Sequence, residues 1–488
     1  MDWLVAPEYW LARIVFYRLL GLIYLVAFAS AFNQFPALCG ERGLLPAGPY
    51  LRAAGARRAP SLFHLHYSDR FARAVAAAGM VIAGAAVLGI VERLPLAAAT
   101  AAWLALWLVY LSFVNAGGMF FGFVWETLLL EAGFLAVFLG SGEVAPLWPA
   151  VLALRWLLVR LEVGAGLIKL RADEAWRNLT ALDYHHQTQP IPNRFSWWFH
   201  HLPKPVHRLE VIGNHVAQLV VPFGLLLPQP IAAWAGAFVV VTQLWLMASG
   251  NFAWLNLLTI TLAVGAFHAD ALRLVLPVEP PALAAPPGWF TAAVVAMAAA
   301  MVVLSWRPLR NMASRHQVMN ASYNPLHLGN TYGLFGHMTR ERLEIVLEGT
   351  DDPDPGPHTV WKAYEFKAKP GGPGRRPRQV APYHLRLDWL MWFAALSPAY
   401  AEGWFLALAA KLLSGDPATL KLLAVNPFPQ SPPRYLRALL YRYRFTTPAE
   451  RRATGDWWHR ELVGLYLPPI ALRVPDTAGQ PAGEPVAA

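Results

Sequence analysis

Nine stretches of this chain are apolar over close to the roughly 20 residues that a helix needs to cross a hydrocarbon core. They lie at about 14 to 32, 72 to 91, 96 to 114, 119 to 140, 147 to 169, 210 to 227, 231 to 249, 252 to 268 and 290 to 306. Lipid offers backbone N–H and C=O groups no partner, so such runs become helices, whose hydrogen bonds are internal. Connections at 115 to 118, 228 to 230 and 250 to 251 are so short that the runs they join must lie antiparallel and in contact. Composition agrees: 56% of residues are hydrophobic and 14% charged, which leaves a soluble globule too little polar surface to cover itself. The first run follows Arg13 and Arg18 and ends in AFASA, which resembles a secretory cleavage site; we take it as a retained first span.

The expected architecture is an α-helical multipass membrane bundle of about nine spans (1 to 306), then a small α+β domain (307 to 474) and a disordered tail (475 to 488). In the second part RERLEIVLEGT (340 to 350) and HTVWKAYEFKAKP (358 to 370) have period-two stretches around the turn-rich DDPDPGP, which predicts a hairpin. WFLALAAKLLSG (404 to 415) has helical spacing and a closing glycine. RYLRALLYRYRF (434 to 445) alternates basic and aromatic residues as an edge strand does, and the tail PDTAGQPAGEPVAA shows no apolar periodicity. Lys and Arg exceed Asp and Glu by 18 to 15 in residues 1 to 306 and by 22 to 15 in 307 to 488. With nine spans, the basic loops 33 to 70 and 170 to 209 share a side with the C-terminal domain, and the positive-inside rule makes that side cytoplasmic. One cysteine, Cys39, excludes an internal disulfide, a CxxC redox pair and a thiolate metal cage.

Ionisable residues inside the apolar runs are the candidate chemistry. Arg155, Glu162 and Lys169 are spaced by seven, nearly two helical turns, and form one polar stripe on the fifth run. Glu126 and Glu131 add carboxylates to the preceding run, and Asn214, His215 and Gln218 add polar groups to the following one. Charge in hydrocarbon is expensive, so the stripe either marks a functional site or pairs off, Arg155 and Arg160 with Glu126, Glu131 or Glu162, to fix helix register. Lys169 follows Gly164-Ala165-Gly166-Leu167-Ile168, a setting that can desolvate an amine and make it a base, with Glu162 or His215 assisting. The other outcome is an ammonium that reaches back to the interface. His185 and His186 are adjacent, project differently from a helix, and have no third ligand at a suitable spacing, so no metal is expected. QTQPIPN (187 to 193) is expected to lie as a loop over the mouth of the bundle.

No P-loop, GxGxxG, GxSxG or HExxH string is present. Nucleic acid is not an expected partner, because the C-terminal arginines are scattered among tryptophans and prolines rather than clustered. Membrane lipid headgroups or an acidic protein suit that charge better. RLDWLMWFAAL (386 to 396) is either buried core or an aromatic docking surface.

Longer strings carry more. NTYGLFGHMTRERLEIVLEGT, WKAYEFKAKPGGPGRRPRQVAPYHLRLDWLMWFAAL, LAVNPFPQSPPRYLRALLYRYRF and WWHRELVGLYLPP resemble the C-terminal signature of the lipase maturation factor family. RWLLVRLEVGAGLIKLRADEAWRNLTALDYHHQTQPIPN resembles its membrane signature, so the likeness runs from about residue 10 to 470. That resemblance implies a multipass protein of the endoplasmic reticulum membrane, chaperone-like rather than enzymatic and with no cofactor, that helps homodimeric lipases reach their active assembled form. The client protein would meet the C-terminal domain on the lumenal side, opposite to the side given by charge, with Trp361, Tyr364, Trp389 and Trp392 as candidate contacts. The Ala-, Arg- and Pro-rich composition is bacterial in character, which would make the membrane a plasma membrane. A second, local resemblance gives an alternative: AGLIKLRADEAW is similar to a span of the vitamin K-dependent carboxylase family, which implies Lys169 as base on a quinol-type substrate.

Overall fold

The computed structural model describes residues 2 to 472 and 485 to 487. The membrane part is helical: α1 (Trp10–Cys39), α2 (Ala47–Arg58), α3 (Asp69–Val87), α4 (Leu96–Ala116), α5 (Val124–Ala136), α6 (Trp148–Ala172), α7 (Leu182–Thr188), α8 (Lys204–Leu219), α9 (Ile231–Ser249), α10 (Leu255–Ala263) and α11 (Gly288–Ala313). Of these, α1, α3, α4, α9 and α11 are long and apolar enough to cross a bilayer.

The count of nine spans is not confirmed, because the remaining four runs do not form helices that are both long and apolar enough by that measure. Helix α5 has 13 residues, a rise of about 20 Å against a hydrocarbon core of about 30 Å. Helix α10 has 9 residues, and α8 stops at Leu219, before Pro222. Helix α6 has 25 residues but carries Arg155, Arg160, Glu162, Lys169 and Arg171. The physical reason is position: α5 and α6 are largely buried, with Glu126, Glu131, Arg155, Arg160 and Glu162 all sealed from solvent. A helix surrounded by protein need be neither uniformly apolar nor bilayer-long. The glycines of VGAGLIK make that enclosure tight. A Cβ on Gly164 would run into the Tyr332 carbonyl oxygen, and one on Gly166 would stand 2.7 Å from Leu219 of α8.

The C-terminal part carries α12 (Arg386–Leu396), α13 (Phe405–Leu413) and strands β1 (Arg342–Thr350), β2 (Lys362–Ala363), β3 (Glu365–Phe366), β4 (Leu423–Val425), β5 (Tyr435–Phe445), β6 (Trp458–Leu472) and β7 (Pro485–Ala487). The main sheet has the order β2-β1-β5-β6-β7, and β3 pairs with β4. The expected hairpin is present but brief, Glu348 facing Ala363 and Gly349 facing Lys362. The strand expected at the edge, β5, is central, pairing with β1 from Arg342↔Tyr443 to Thr350↔Tyr435 and with β6 on its other side. Its arginines tolerate that position because carboxylates of the β1 region meet them: Arg437 lies 2.9 Å from Glu348 and Arg442 3.1 Å from Glu341. Of the tail read as disordered, 475 to 484 and 488 lie outside the described residues, while 485 to 487 pair as β7 with Ile470–Leu472.

Candidate functional site

Glu162 and Lys169 open onto one cavity of about 270 Å³, walled by α6, α7, α8, α9, α10 and Leu334-Phe335 of the linker. Its wall is mostly apolar, and the polar groups converge from several helices. The ammonium of Lys169 donates to Asn214 Oδ1 (2.9 Å) and Gln218 Oε1 (2.8 Å) on α8 and stands 4.7 Å from the Trp176 ring centroid. Glu162 accepts from Gln243 Nε2 (3.1 Å), whose own oxygen accepts from Asn256 Nδ2 (2.7 Å). Both charged groups are therefore held by amides. His215, considered as an assistant to Lys169, is not in the wall: its Nε2 lies 3.1 Å from the Trp176 carbonyl oxygen.

The rest of the stripe does different work. Arg155 meets no carboxylate among the described residues; it donates to the carbonyls of Gly265 (2.9 Å) and Leu225 (3.2 Å) and to the Tyr9 hydroxyl (2.6 Å). Arg160 pairs with Glu131, as a register pair would, but the same carboxylate also accepts from the Tyr332 hydroxyl (2.8 Å) and from Asn330 Nδ2 (3.2 Å) of the linker. Glu126 pairs with Arg386 of α12 at 2.5 Å and accepts from Tyr110. His384 Nδ1 lies 3.3 Å from the same carboxylate and accepts from the Trp125 indole N–H (3.2 Å). A third buried carboxylate, Glu344, is flanked by Arg342 (2.5 Å) and Lys369 (2.8 Å). Arg342 runs on to the carbonyls of Gln187, Gln189 and Pro190. QTQPIPN is thus a buried belt between bundle and sheet, and the C-terminal domain is docked into the bundle by charge.

That docking decides where the four candidate aromatics stand. Trp389 and Tyr364 are buried, Trp389 against Trp125 at 4.7 Å between centroids. Trp392 is half-buried and donates to the Thr188 carbonyl (3.1 Å). Trp361 is half-buried under the Arg437 guanidinium, 4.1 Å from its ring centroid. Among the apolar groups that this domain leaves in the open, Leu462, Val463 and Leu465 cluster on β6, each about half exposed, while Val360, Tyr400, Leu406 and Val425 are scattered elsewhere. Among the described residues, β6 is paired on its outer side only at Ile470–Leu472. Leu462 and Leu465 face Tyr441 and Leu439 across β5, and the extra residue between them, Val463, is a bulge that puts both leucines on one face.

Two buried histidines, His384 at the domain junction and His185 in the cavity wall, are expected to give the fold a pH dependence. Burial pushes His384 down to about 4, with Arg386 adding to it, and burial pushes His185 down to about 4, with Lys169 adding to it. In an unfolded chain each titrates near 6.5. Between those values the unfolded state binds more protons, so stability rises with pH. We expect the melting temperature in detergent to be level above pH 7 and to fall as pH drops from 6.5 toward 4, each histidine contributing at most about 1.4 kcal/mol per pH unit. A thermal-unfolding series across that range checks this, and His384→Asn should flatten the slope.

Two family models match the chain. The one described as Lipase maturation factor transmembrane domain matches residues 11–274, and that described as Lipase maturation factor C-terminal domain matches 328–468. The chain is 39% identical over 515 residues to Lipase maturation factor 1 of Mus musculus, covering 95% of this chain and 88% of the relative. For the protein of the same name from Bos taurus the identity is 40%, covering 96% and 90%. For Lipase maturation factor 2 of Homo sapiens it is 30%, covering 95% and 83%. No solved structure matches. Apolar helices together with a membrane-domain family match make this an integral membrane protein.

Proposed function

The chain belongs to the lipase maturation factor family, and from that premise we propose that it is a membrane-embedded factor that helps secreted lipases, or secreted proteins of like build, reach their assembled form. The observation that carries this reading is the match to named maturation factors over 95% of the chain, through bundle and C-terminal domain alike. The role proposed is chaperone-like, with no bond made or broken. No specific observation favours the alternative in which Lys169 acts as base on a quinol.

The client is proposed to meet the C-terminal domain at the outer edge of β6. A strand edge offers unpaired N–H and C=O groups to an extended segment, and Leu462 and Leu465 offer that segment an apolar face. Trp361, half-open beside the edge-ward Lys362 and Ala363, is kept as a lesser contact. Because a secreted client never meets the cytoplasm after export, the domain is placed on the extracytoplasmic side, against the charge count. The membrane would be the endoplasmic reticulum, or the plasma membrane in a bacterium.

The test is removal of this chain from its host, with secreted lipase measured both as protein and as activity. The expected result is lipase protein of severalfold lower specific activity, restored when the intact chain is returned. Unchanged specific activity of every secreted lipase would overturn the reading.

A further inference from the structure

At one end of the cavity three side chains converge that no part of the maturation reading uses. His186 comes from α7, and His207 and Glu210 come from α8, one turn apart and so on one face. One donor atom from each lies within 4.8 Å of the others. His186 is 2% exposed, and among the described residues neither of its ring nitrogens has a hydrogen-bond partner; Glu210 Oε2 has none there either. A buried polar atom without a partner costs about 1–3 kcal/mol, so several such atoms pointing into one space need something to bind.

His207 is arranged differently. Its Nε2 lies 2.9 Å from the Phe199 carbonyl oxygen and its Nδ1 3.1 Å from Asp183 Oδ1. Both nitrogens thus face acceptors; a ligating histidine keeps one such partner to fix its ring, so to bind an ion His207 gives up the other. The contacts to Asp183 and Phe199 leave His186 and Glu210 Oε2 unanswered. A cation answers His186 and Glu210, in exchange for one of the two His207 contacts.

We propose that His186, His207 and Glu210 hold a divalent transition-metal ion of the zinc type. Two imidazoles and one carboxylate are the donor set that such an ion takes, with bonds of about 2.0–2.2 Å; rotation of the Glu210 side chain draws the donors together. His186 and Glu210 also line the cavity, so an ion held there would border the space shared with Lys169 and Glu162. The sequence hides the site because its ligands come from two helices separated by a turn-rich segment, and only the His207-x-x-Glu210 spacing hints at it.

The test uses the full chain purified in detergent, stripped with chelator and titrated with Co²⁺ by absorbance and with Zn²⁺ by metal analysis after dialysis. The expected result is about one equivalent retained per chain, with His186→Ala and Glu210→Gln each weakening binding at least about tenfold. The exposed His66→Ala should bind as the parent does. Zn²⁺ should raise the melting temperature of the parent and of His66→Ala only. Glu210→Gln keeps an acceptor for the Trp245 indole, so it tests the site even where His186→Ala misfolds. Retention of well under one equivalent by the parent, or equal affinity in the parent and Glu210→Gln, would overturn the proposal.

Discussion

Arg386→Ala is expected to destabilise the chain by about 3–5 kcal/mol, because it strips the partner from a carboxylate that has no route to water. Glu126 is fully buried, and Arg386 meets it at 2.5 Å while donating to the Phe120 carbonyl (2.9 Å) and lying 3.5 Å from the Phe121 ring centroid. The Arg386 backbone N–H donates to Gln34 Oε1 (3.0 Å), and the His384 carbonyl accepts from Gln34 Nε2 (2.6 Å), so the loss reaches α1 as well. Glu126→Gln combined with Arg386→Met should recover most of the stability, since a buried ion pair replaced as a unit by groups of similar volume often costs little. Tryptophan fluorescence on heating would read the loss, and limited proteolysis in the 314 to 341 linker would read its location: after cutting, the C-terminal part should stay with the bundle in the parent and leave it in Arg386→Ala. A single variant that melts with the parent would mean that the pair contributes nothing to docking.

How much of this was legible beforehand depends on whether a residue's partner is near it in sequence. The long apolar helices α1, α3, α4, α9 and α11 could be read from hydropathy, because lipid-facing helices must be apolar over a full bilayer thickness. The runs that hold α5, α8 and α10 were legible as apolar but not as short: α5 and α10 are enclosed by protein, which imposes no bilayer length, and α8 is an amphipathic helix burying only His207, Val211, Ala217 and Gln218. Lys169 and Glu162 were readable as a polar pair, since both sit on α6 at one spacing. Glu126 was readable as a charge that needed a partner, but not as the partner of Arg386, which lies 260 residues away. Trp389 misleads for the same reason. An aromatic run in a charged domain looks like a contact surface until Trp125, Phe123 and His384 are found packed around it. The position of β5 turned on Glu348 and Glu341 of the β1 region, which a local pattern of arginine and tyrosine does not contain.

The second large effect is expected from the double change Leu462→Asp with Leu465→Asp. Both side chains are more than half exposed, at 59% and 58%, and the β6 backbone is already bonded to β5 on its inner side, so the folded chain loses little. A client strand laid along the outer edge would have to bury two carboxylates without partners, a far larger penalty than the loss of two leucines' apolar burial alone. Loss of at least about 1.4 kcal/mol of client binding, a factor of ten, should appear as an equal fall in the specific activity of the secreted lipase, with the melting temperature of the factor unchanged. Trp361→Ala should do less, because that ring is already covered on one side by Arg437. The edge also carries its own brake: Pro468 and Pro469 lack N–H groups and the Val463 bulge breaks the ladder, so a client strand can pair only over a few residues. Such a short, reversible pairing suits a factor that must release what it helps to assemble. If lipase activity survives the double aspartate change while Trp361→Ala abolishes it, the client binds at the β1–β2 side of the sheet and the outer edge of β6 is simply a protected end.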